Sequence, residues 1–386
     1  MDDYSGIVSF DSANCRANIR AGTKLKHIGP ALWDHQMAME NMGDIDSQTI
    51  AGAISTGTHG SGIKLQSIPN TLTSLRIVVA SGEVIHVSRE ADPRLFKACA
   101  ISLGALGIIT EVQLQCVPIF NLRCDLSKRK PEEVLDNLRA LVEQHRSFEF
   151  FFFPYGDAVL VKTLNEAPVD HTSVTAKCRK LDNFVENVSL EIISKYLSKQ
   201  PESCETLSKL ISSSVTCSCF TDRSYGAFVT ARTVKFLEME YSVPYENAVD
   251  CVRQMRKAIQ NERFQVHFPI EVRFVKGDDL FLSPAYGRDS CYIAVHCYKE
   301  QEYKAYFDHM EQILLMCGGR PHWGKMNTLT GADFQDIYPQ WHEFCSVKAA
   351  LDPSCLFCNP YLCELFKEHE PRPRRSTTGP DMAYER

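Results

Sequence analysis

The segment GDIDSQTIAGAISTGTHGSG, residues 43–62, places glycines among threonines, serines and one histidine. Glycine has no Cβ, so the backbone of such a segment can approach a phosphate or a ring closely, and consecutive N–H groups can form an anion-binding concavity. The hydroxyls of Ser55, Thr56 and Thr58 can supply further donors. From these residues alone, a cofactor-binding loop and a glycine-rich surface loop without a ligand are about equally well supported.

Two common nucleotide-binding loops do not explain this segment. A Rossmann loop needs a GxGxxG that follows a strand and opens a helix, and residues 43–62 contain none. A P-loop needs a lysine, which is also absent. The predicted cofactor loop is therefore of another type.

Short β-rich elements surround this segment and, with it, form a predicted first unit over residues 1–125. Period-two apolar alternation indicates strands, and the capping residue Asp92 followed by proline indicates a helix start. The predicted elements are two strands near 7–19, a hairpin over 72–88, a helix from Pro93 to Gly104 and a strand over 107–117.

A second, α+β unit is predicted over residues 126–365, followed by a disordered tail over 366–386. Its predicted elements are an amphipathic helix from Pro131, a strand in FEFFFFPYG, a helix over 244–259, strands over 264–275 and 291–298, and a helix ending near Met316. The region 165–235 is polar and its structure is left open.

The strand FQVHFPIEVRFV, residues 264–275, puts its aromatic and aliphatic residues on one face and Glu271 with Arg273 on the other. A carboxylate beside a guanidinium can orient a sugar hydroxyl and hold developing negative charge. Taken alone, however, the pair fits a solvated salt bridge worth about 0–1 kcal/mol better. His267 shares this face, and a surface or hydrogen-bonded histidine is the simpler interpretation.

The loop GGRPHWGK, residues 318–325, gathers His322, Trp323 and Lys325 within four positions. Loops of this kind often present side chains to a site on a rigid scaffold, and a cation beside a flavin would favour its anionic reduced form. The alternative is a turn in which Trp323 anchors the packing.

Composition excludes several classes of protein. The 386 residues are 44% hydrophobic and carry a net charge of -6 without a basic cluster, which argues against a nucleic-acid partner. The sixteen cysteines follow no disulfide pattern, so we predict reduced packing residues in an intracellular protein. Cys355 and Cys358 form a CxxC, but a zinc site needs a second pair, and no metal site is predicted. No apolar run is long enough to span a membrane, and the N-terminus lacks a signal core.

Six ordered motifs together resemble the aldonolactone oxidase family, which includes L-gulonolactone oxidase and D-arabinono-1,4-lactone oxidase. The matching segments are TxAGxxxTGTHGSG at 49–62, LGALGIITEVQLQCVP at 103–118, PIEVRFVKGDDLFLSP at 269–284, RDSCY at 288–292, GGRPHWGK at 318–325 and LDPSCLFCNPYL at 351–362. The resemblance implies an α+β fold of the vanillyl-alcohol oxidase type, with an FAD-binding domain and an α+β cap domain over the substrate.

The resemblance also implies roles for particular residues. Glu271 would position the hydroxyl of a sugar lactone, Arg273 would bind the lactone and steady reduced flavin, and Lys325 would lie near the flavin's electron-poor edge. The residues that would contact FAD are Asp44, Thr49, Gly52, Ser55, Thr56, Gly57, Thr58, His59, Ile109, His322 and Lys325. The implied reaction is hydride transfer from C2 of an aldono-1,4-lactone to flavin N5, with O2 or another acceptor reoxidising the flavin in an ascorbate-type biosynthesis.

The family resemblance leaves three points open. In the family, an N-terminal subdomain supplies a glycine-rich pyrophosphate loop, and none precedes Met1 here, so we expect an incomplete flavin cradle. A catalytically inactive relative that acts as a binding or structural protein is one alternative, and an alditol or alcohol oxidase of the same superfamily is another. Relatives in the endoplasmic reticulum or mitochondria imply peripheral membrane association.

Overall fold

The computed structural model describes residues 3–169, 189–214, 217–230 and 233–367 of the chain. It is a mixed helix and sheet structure, which confirms the predicted α+β class. Most of the tail that the sequence predicts to be disordered lies outside the described residues. Within them, no helix combines the length and apolar character that a bilayer crossing requires.

Strands form two large sheets, both antiparallel. The strands are β1 (Ile7–Asp11), β2 (Arg16–Arg20), β3 (Met37–Ala38), β4 (Leu72–Val78), β5 (Val84–Ser88), β6 (Ile108–Gln115), β7 (Val117–Pro118), β8 (Asn121–Arg129), β9 (Ser147–Phe152), β10 (Val159–Ala167), β11 (Ser218–Arg223), β12 (Phe236–Pro244), β13 (Ile270–Val275), β14 (Ser290–Tyr298) and β15 (Arg320–Pro321). The five-stranded sheet has the order β1-β2-β6-β4-β5, and the eight-stranded sheet has the order β11-β8-β10-β9-β13-β14-β12-β15.

Helices cover one side of each sheet. They are α1 (Leu25–Asp34), α2 (Ile50–Ser55), α3 (Pro93–Cys99), α4 (Pro131–Asp136), α5 (Leu138–Gln144), α6 (189–197), α7 (Cys204–Ser214), α8 (Ser224–Phe228), α9 (Ala248–Glu262), α10 (Lys304–Met316), α11 (Gly331–Ile337), α12 (Trp341–Leu351) and α13 (Pro360–Leu365).

Two hydrophobic cores follow from this arrangement. One core lies beneath the five-stranded sheet and also takes in Trp323, Phe334, Trp341 and Phe344 from the C-terminal part of the chain. The second core packs α4, α5, α9 and α10 against one face of the eight-stranded sheet. The C-terminal helices therefore pack with the first 120 residues, although they follow the eight-stranded sheet in sequence.

Helix α3 begins as the sequence predicts and ends earlier. The Asp92 side chain accepts a hydrogen bond from the Leu95 N–H at 3.0 Å, and Pro93 occupies the first turn. The helix stops at Cys99 because the chain then turns so that the Leu103 N–H can bond the Ser55 carbonyl at 3.1 Å. Gly104 has the predicted left-handed φ, 75°, but it lies in the turn that follows.

The strand predicted over 264–275 is shorter than expected, since β13 begins at Ile270. Pro269 has no N–H to give to a neighbouring strand, so the ladder starts after it. The apolar residues before the proline also do not share one face: Phe264 and Val266 pack on the second core, whereas Phe268 packs with Val234. Strand β12 was not predicted at all.

Candidate functional site

The end of the glycine-rich segment is hydrogen-bonded to strands of the eight-stranded sheet. Gly62 N–H donates to the Phe274 carbonyl at 2.6 Å, and the Ser61 hydroxyl donates to the Phe148 carbonyl at 2.6 Å. A Cβ on Gly60 would lie 2.2 Å from the Met42 carbonyl oxygen. Glycine is needed at position 60 because another part of the protein backbone, rather than a ligand, approaches it closely.

Helix α2 of this segment separates two concave regions. We call the first the charged cavity; its lining includes Asp44, Gln48, Thr58, His59, Glu238, Glu240, Glu271, Arg273, His296, His322 and Lys325. We call the second the open groove; its lining includes Gly52, Ser55, Thr56, Leu103, Gly104, Ile109, Trp323, Tyr361 and Leu362. Most of the residues predicted to bind the cofactor therefore line one region or the other.

Thr49 and Gly57 are the predicted cofactor residues that line neither region. The Thr49 hydroxyl caps α2 by accepting from the Gly52 N–H at 3.2 Å. Gly57 has a φ of 77°, which glycine adopts without the steric cost that a Cβ brings. Both residues shape the turn that carries Thr58 and His59 into the charged cavity.

Glu271 and Arg273 project from β13 into the charged cavity, and both are buried. The interpretation as a solvated surface pair is therefore wrong. Arg273 Nε and Nη2 each lie 2.6 Å from Glu271 Oε1, and Nη2 also lies 3.6 Å from Asp44 Oδ1. Burial opposes the charge of Arg273, but the nearby carboxylates outweigh it and raise its pKa well above the usual value. The guanidinium is a permanent cation held among carboxylates.

His267 follows the same two-residue alternation as Glu271 and Arg273, but it lies outside the charged cavity. Its Nε2 is 2.9 Å from the Ser194 hydroxyl, and its Nδ1 has no partner among the described residues. Burial lowers the pKa of His267 to about 4, so the ring is neutral at pH 7. The hydrogen-bonded, non-catalytic interpretation fits this position.

Lys325 reaches the charged cavity from the loop after β15 and forms an ion pair with Glu238. The loop is fixed to β12, because the Met326 N–H donates to the Glu238 carbonyl at 3.0 Å and the His322 N–H donates to the Glu240 carbonyl at 2.9 Å. Burial disfavours the charge of Lys325, but Glu238 and Glu240 raise its pKa above the usual value. A second cation is thus held in the same cavity as Arg273.

His59 and His322 of the cavity differ in their hydrogen-bond partners. Burial lowers the pKa of His322 to about 3, and its Nδ1 accepts from the Gly324 N–H at 3.0 Å, so it is neutral. His59 Nδ1 lies 2.9 Å from the Gly60 carbonyl, and its Nε2 lies 3.4 Å from Glu240 Oε1. A carbonyl oxygen and a carboxylate oxygen therefore lie beside the two ring nitrogens of His59.

His59, Glu240 and His322 also bring one possible metal-ligand atom each within 4.8 Å of the others. The sequence predicts no metal site. We interpret the three as part of the hydrogen-bonded charge network, because Glu240 is also an electrostatic partner of Lys325.

Four further charged or titratable residues at the site were not predicted from the sequence: Glu149, Glu238, Glu240 and His296. Glu149 lies 3.9 Å from Arg273 and 2.7 Å from Lys162, and His296 Nε2 lies 3.5 Å from Glu238. Despite its burial, the pKa of Glu238 is lowered to about 2 by His296 and Lys325. The available signal was a charged residue inside an apolar strand, as in FEFFFF and FLEMEYSV.

The charged cavity has an excess of carboxylates over permanent cations. Its cations are Arg273 and Lys325, with Lys162 behind Glu149. Its carboxylates are Asp44, Glu238, Glu240 and Glu271, and Glu149 lies next to Arg273. Its volume is about 60 Å³, which is well below the ~300 Å³ of a small ligand pocket, so the lining side chains must separate to admit a ring.

The open groove is large enough for a bound group, at about 420 Å³. Ser55 and Thr56 supply hydroxyls along it, and a Cβ on Gly104 would meet no atom within 4 Å, so the wall is free of a side chain there. An extended cofactor with an anionic middle fits a cleft of this kind, with hydroxyl donors and a bare backbone wall.

Comparisons with known proteins agree with this geometry. Residues 112–365 match the family model described as D-arabinono-1,4-lactone oxidase, and residues 1–88 match the FAD binding domain model. The chain is 38% identical to L-gulono-1,4-lactone dehydrogenase of Mycobacterium tuberculosis over 94% of its length and 84% of the relative's. It is 29% identical to L-gulonolactone oxidase of Bos taurus, with 95% and 84% covered.

Solved structures show the same fold at lower identity. Cholesterol oxidase from B. sterolicum superposes with a TM-score of 0.77 at 17% identity, over 94% of this chain and 83% of that one. A chitooligosaccharide oxidase superposes with a TM-score of 0.66 at 13% identity, over 94% and 80%. The predicted fold of the vanillyl-alcohol oxidase type is confirmed.

Proposed function

We propose that this chain, which belongs to the D-arabinono-1,4-lactone oxidase family and is an FAD-dependent oxidoreductase, oxidises an aldono-1,4-lactone at C2. The proposed substrate is L-gulono-1,4-lactone or D-arabinono-1,4-lactone, and the electrons pass to O2 or another acceptor. The six-carbon product would be a precursor of ascorbate, and the five-carbon product would give its analogue.

The observation that carries the proposal is the buried Glu271–Arg273 pair facing the glycine-rich segment across the charged cavity. A carboxylate and a guanidinium that both lie in one small cavity can bind the hydroxyl and the ring oxygens of a sugar lactone together. Such buried charges are costly for a protein to retain without a ligand that uses them.

We assign the roles within the cavity by charge. The Glu271 carboxylate accepts the hydrogen bond of the C2 hydroxyl, and the Arg273 guanidinium donates to the lactone oxygens. FAD supplies a hydride acceptor when bound. Lys325 places a second positive charge in the cavity, where it favours negative charge that develops on oxidation.

The residues fit FAD in two regions. Gly52, Ser55, Thr56 and Ile109 of the open groove would hold its phosphate-bearing part, and Asp44, Thr58, His59, His322 and Lys325 would line its ring. Thr49 and Gly57 would act indirectly by shaping the turn between these regions.

The test is a visible absorption spectrum of the chain loaded with FAD, recorded anaerobically before and after each lactone is added. We expect the flavin bands to bleach with at least one lactone and to return on addition of air or a dye acceptor. Glu271→Gln should lose most of the bleaching rate, whereas Glu166→Gln, an exposed carboxylate of the same sheet, should keep it. Bound flavin that neither lactone reduces would overturn the proposal.

An intracellular compartment and peripheral membrane association stay predictions. Fractionation of cells that express the full chain, with and without a salt wash, is the measurement that tests them.

A further inference from the structure

The CxxC at Cys355 and Cys358 is outside both the charged cavity and the chemistry proposed above. The sequence predicts that the cysteines are packing residues. Most of the described cysteines are buried, but Cys355 is exposed. The two cysteines span one tight turn, in which the Cys358 N–H donates to the Cys355 carbonyl at 3.1 Å. The first and fourth residues of such a turn have Cα atoms within about 7 Å, a separation that a disulfide can bridge.

A buried lysine contacts this turn. Lys348 of α12 is buried, and its Nζ lies 3.4 Å from the Cys355 sulfur. No carboxylate lies within salt-bridge distance of Lys348 anywhere in residues 3–169, 189–214, 217–230 and 233–367. Its electrostatic partners are the two thiols of the CxxC. The Lys348 ammonium group thus lies beside the Cys355 sulfur, and a neighbouring cation favours the thiolate form of a cysteine.

The turn is also held in a fixed conformation. The buried Asp352 carboxylate accepts from the Leu356 N–H at 2.8 Å and from the Phe357 N–H at 3.0 Å, so its charge is already engaged. Cys355 has a φ of 55°, a left-handed conformation that residues with a Cβ adopt at a cost. Retained strain of this kind often occurs at functional positions.

We propose that Cys355 and Cys358 form a redox-active dithiol that exchanges with low-molecular-weight disulfides of the glutathione type, with Lys348 stabilising Cys355 as the thiolate. A zinc site does not compete with this assignment, because no third ligand group joins the two thiols in the described part of the chain. The assignment depends neither on FAD binding nor on lactone oxidation.

The exchange has two balanced steps. The Cys355 thiolate attacks one sulfur of the small disulfide, a new S–S bond forms, and one small thiolate leaves. The Cys358 thiol then loses its proton to solvent and attacks Cys355 Sγ, which forms the internal disulfide and releases the second small thiolate. The protein dithiol is oxidised by two electrons, and the small disulfide is reduced to two thiols. Cys355 is the attacking residue because it is exposed, whereas Cys358 is partly buried.

Alkylation of the native full chain tests the thiolate. With iodoacetamide at pH 7, followed by peptide mass spectrometry, we expect Cys355 to react about ten times faster than Cys363, another exposed cysteine. Lys348→Met should reduce the Cys355 rate to that of Cys363 and move its pH–rate midpoint upward. Equal rates for the two cysteines in the unsubstituted chain, or an unchanged Cys355 rate in a folded Lys348→Met variant, would overturn the proposal.

Incubation with glutathione disulfide tests the exchange. This experiment does not require the Lys348→Met variant to fold. We expect the unsubstituted chain to form the internal Cys355–Cys358 disulfide and Cys358→Ser to stop at a mixed disulfide on Cys355. Retention of both thiols under conditions that modify Cys363 would refute the proposal. Lactone-dependent flavin bleaching of the reduced chain, measured in parallel, reports on the proposed function separately.

Discussion

Replacing Arg273 by methionine removes the cation at the centre of the charged cavity while preserving much of its side-chain volume. Arg273 contacts Glu271 at 2.6 Å, Asp44 at 3.6 Å and Glu149 at 3.9 Å. Removing one partner of a buried ion pair costs about 3–5 kcal/mol, because the remaining charge stays buried without compensation. We therefore expect Arg273→Met to lower the free energy of unfolding by about this amount.

The catalytic effect of the same change should be separable from its effect on stability. Loss of a preorganised donor typically slows a reaction by about 10²–10³. Arg273→Lys keeps a charge but loses the planar fork, so it should recover part of the stability and little of the flavin reduction rate. Urea unfolding measures the first quantity, and anaerobic stopped-flow bleaching with saturating lactone measures the second.

A double variant identifies the source of the destabilisation. Adding Glu271→Gln to Arg273→Met removes one of the uncompensated buried charges, so we expect the double variant to be at least about 1 kcal/mol more stable than Arg273→Met. If Arg273→Met unfolds at the same urea concentration as the unsubstituted chain and reduces flavin equally fast, the reasoning about this cavity is wrong.

Three further predictions concern other parts of the protein. The pKa of His267 is lowered from 6.5 to about 4 in the folded state. As the pH falls, His267 is therefore protonated in the unfolded state before it is protonated in the folded state. The stability that is present above pH 6.5 is lost as the pH falls toward 4. His267→Gln should remove about 2 kcal/mol of the loss between pH 7 and pH 5, measured by urea unfolding at both values. Trp323→Ala deletes a buried ring that is stacked 4.7 Å from Phe334. It should lower the free energy of unfolding by about 3–5 kcal/mol in the same assay, and a decrease of less than about 1 kcal/mol would contradict the packing role. Gly104→Leu should fill the open groove and weaken FAD binding in a fluorescence titration. The control is Gly82→Leu, because Gly82 has a similar φ of 85° and also has no neighbour within 4 Å. Both variants should lower the free energy of unfolding by about 1 kcal/mol, but Gly82→Leu should leave the FAD affinity unchanged.

Local sequence was sufficient for the features that depend on residues close together in the chain. Period-two alternation predicted β1 and β2, and short runs of β-branched or aromatic residues predicted the β4–β5 hairpin, β6, β9 and β14. Asp92 and Pro93 predicted the start of α3. The motifs with Glu271, Arg273 and Lys325 predicted the family, and the structure brings all three residues to the charged cavity.

Only the tertiary structure decided which charges meet. Glu271 and Glu240 are far apart in sequence, yet both pair in register with Ala294, because β14 lies between β13 and β12 in the sheet. Alternation fixes the face on which a side chain lies but not which strand becomes the neighbour, and that choice depends on long-range packing. The same holds for Trp323, which stands beside Lys325 in sequence but packs into the core beneath the five-stranded sheet, while Lys325 enters the charged cavity.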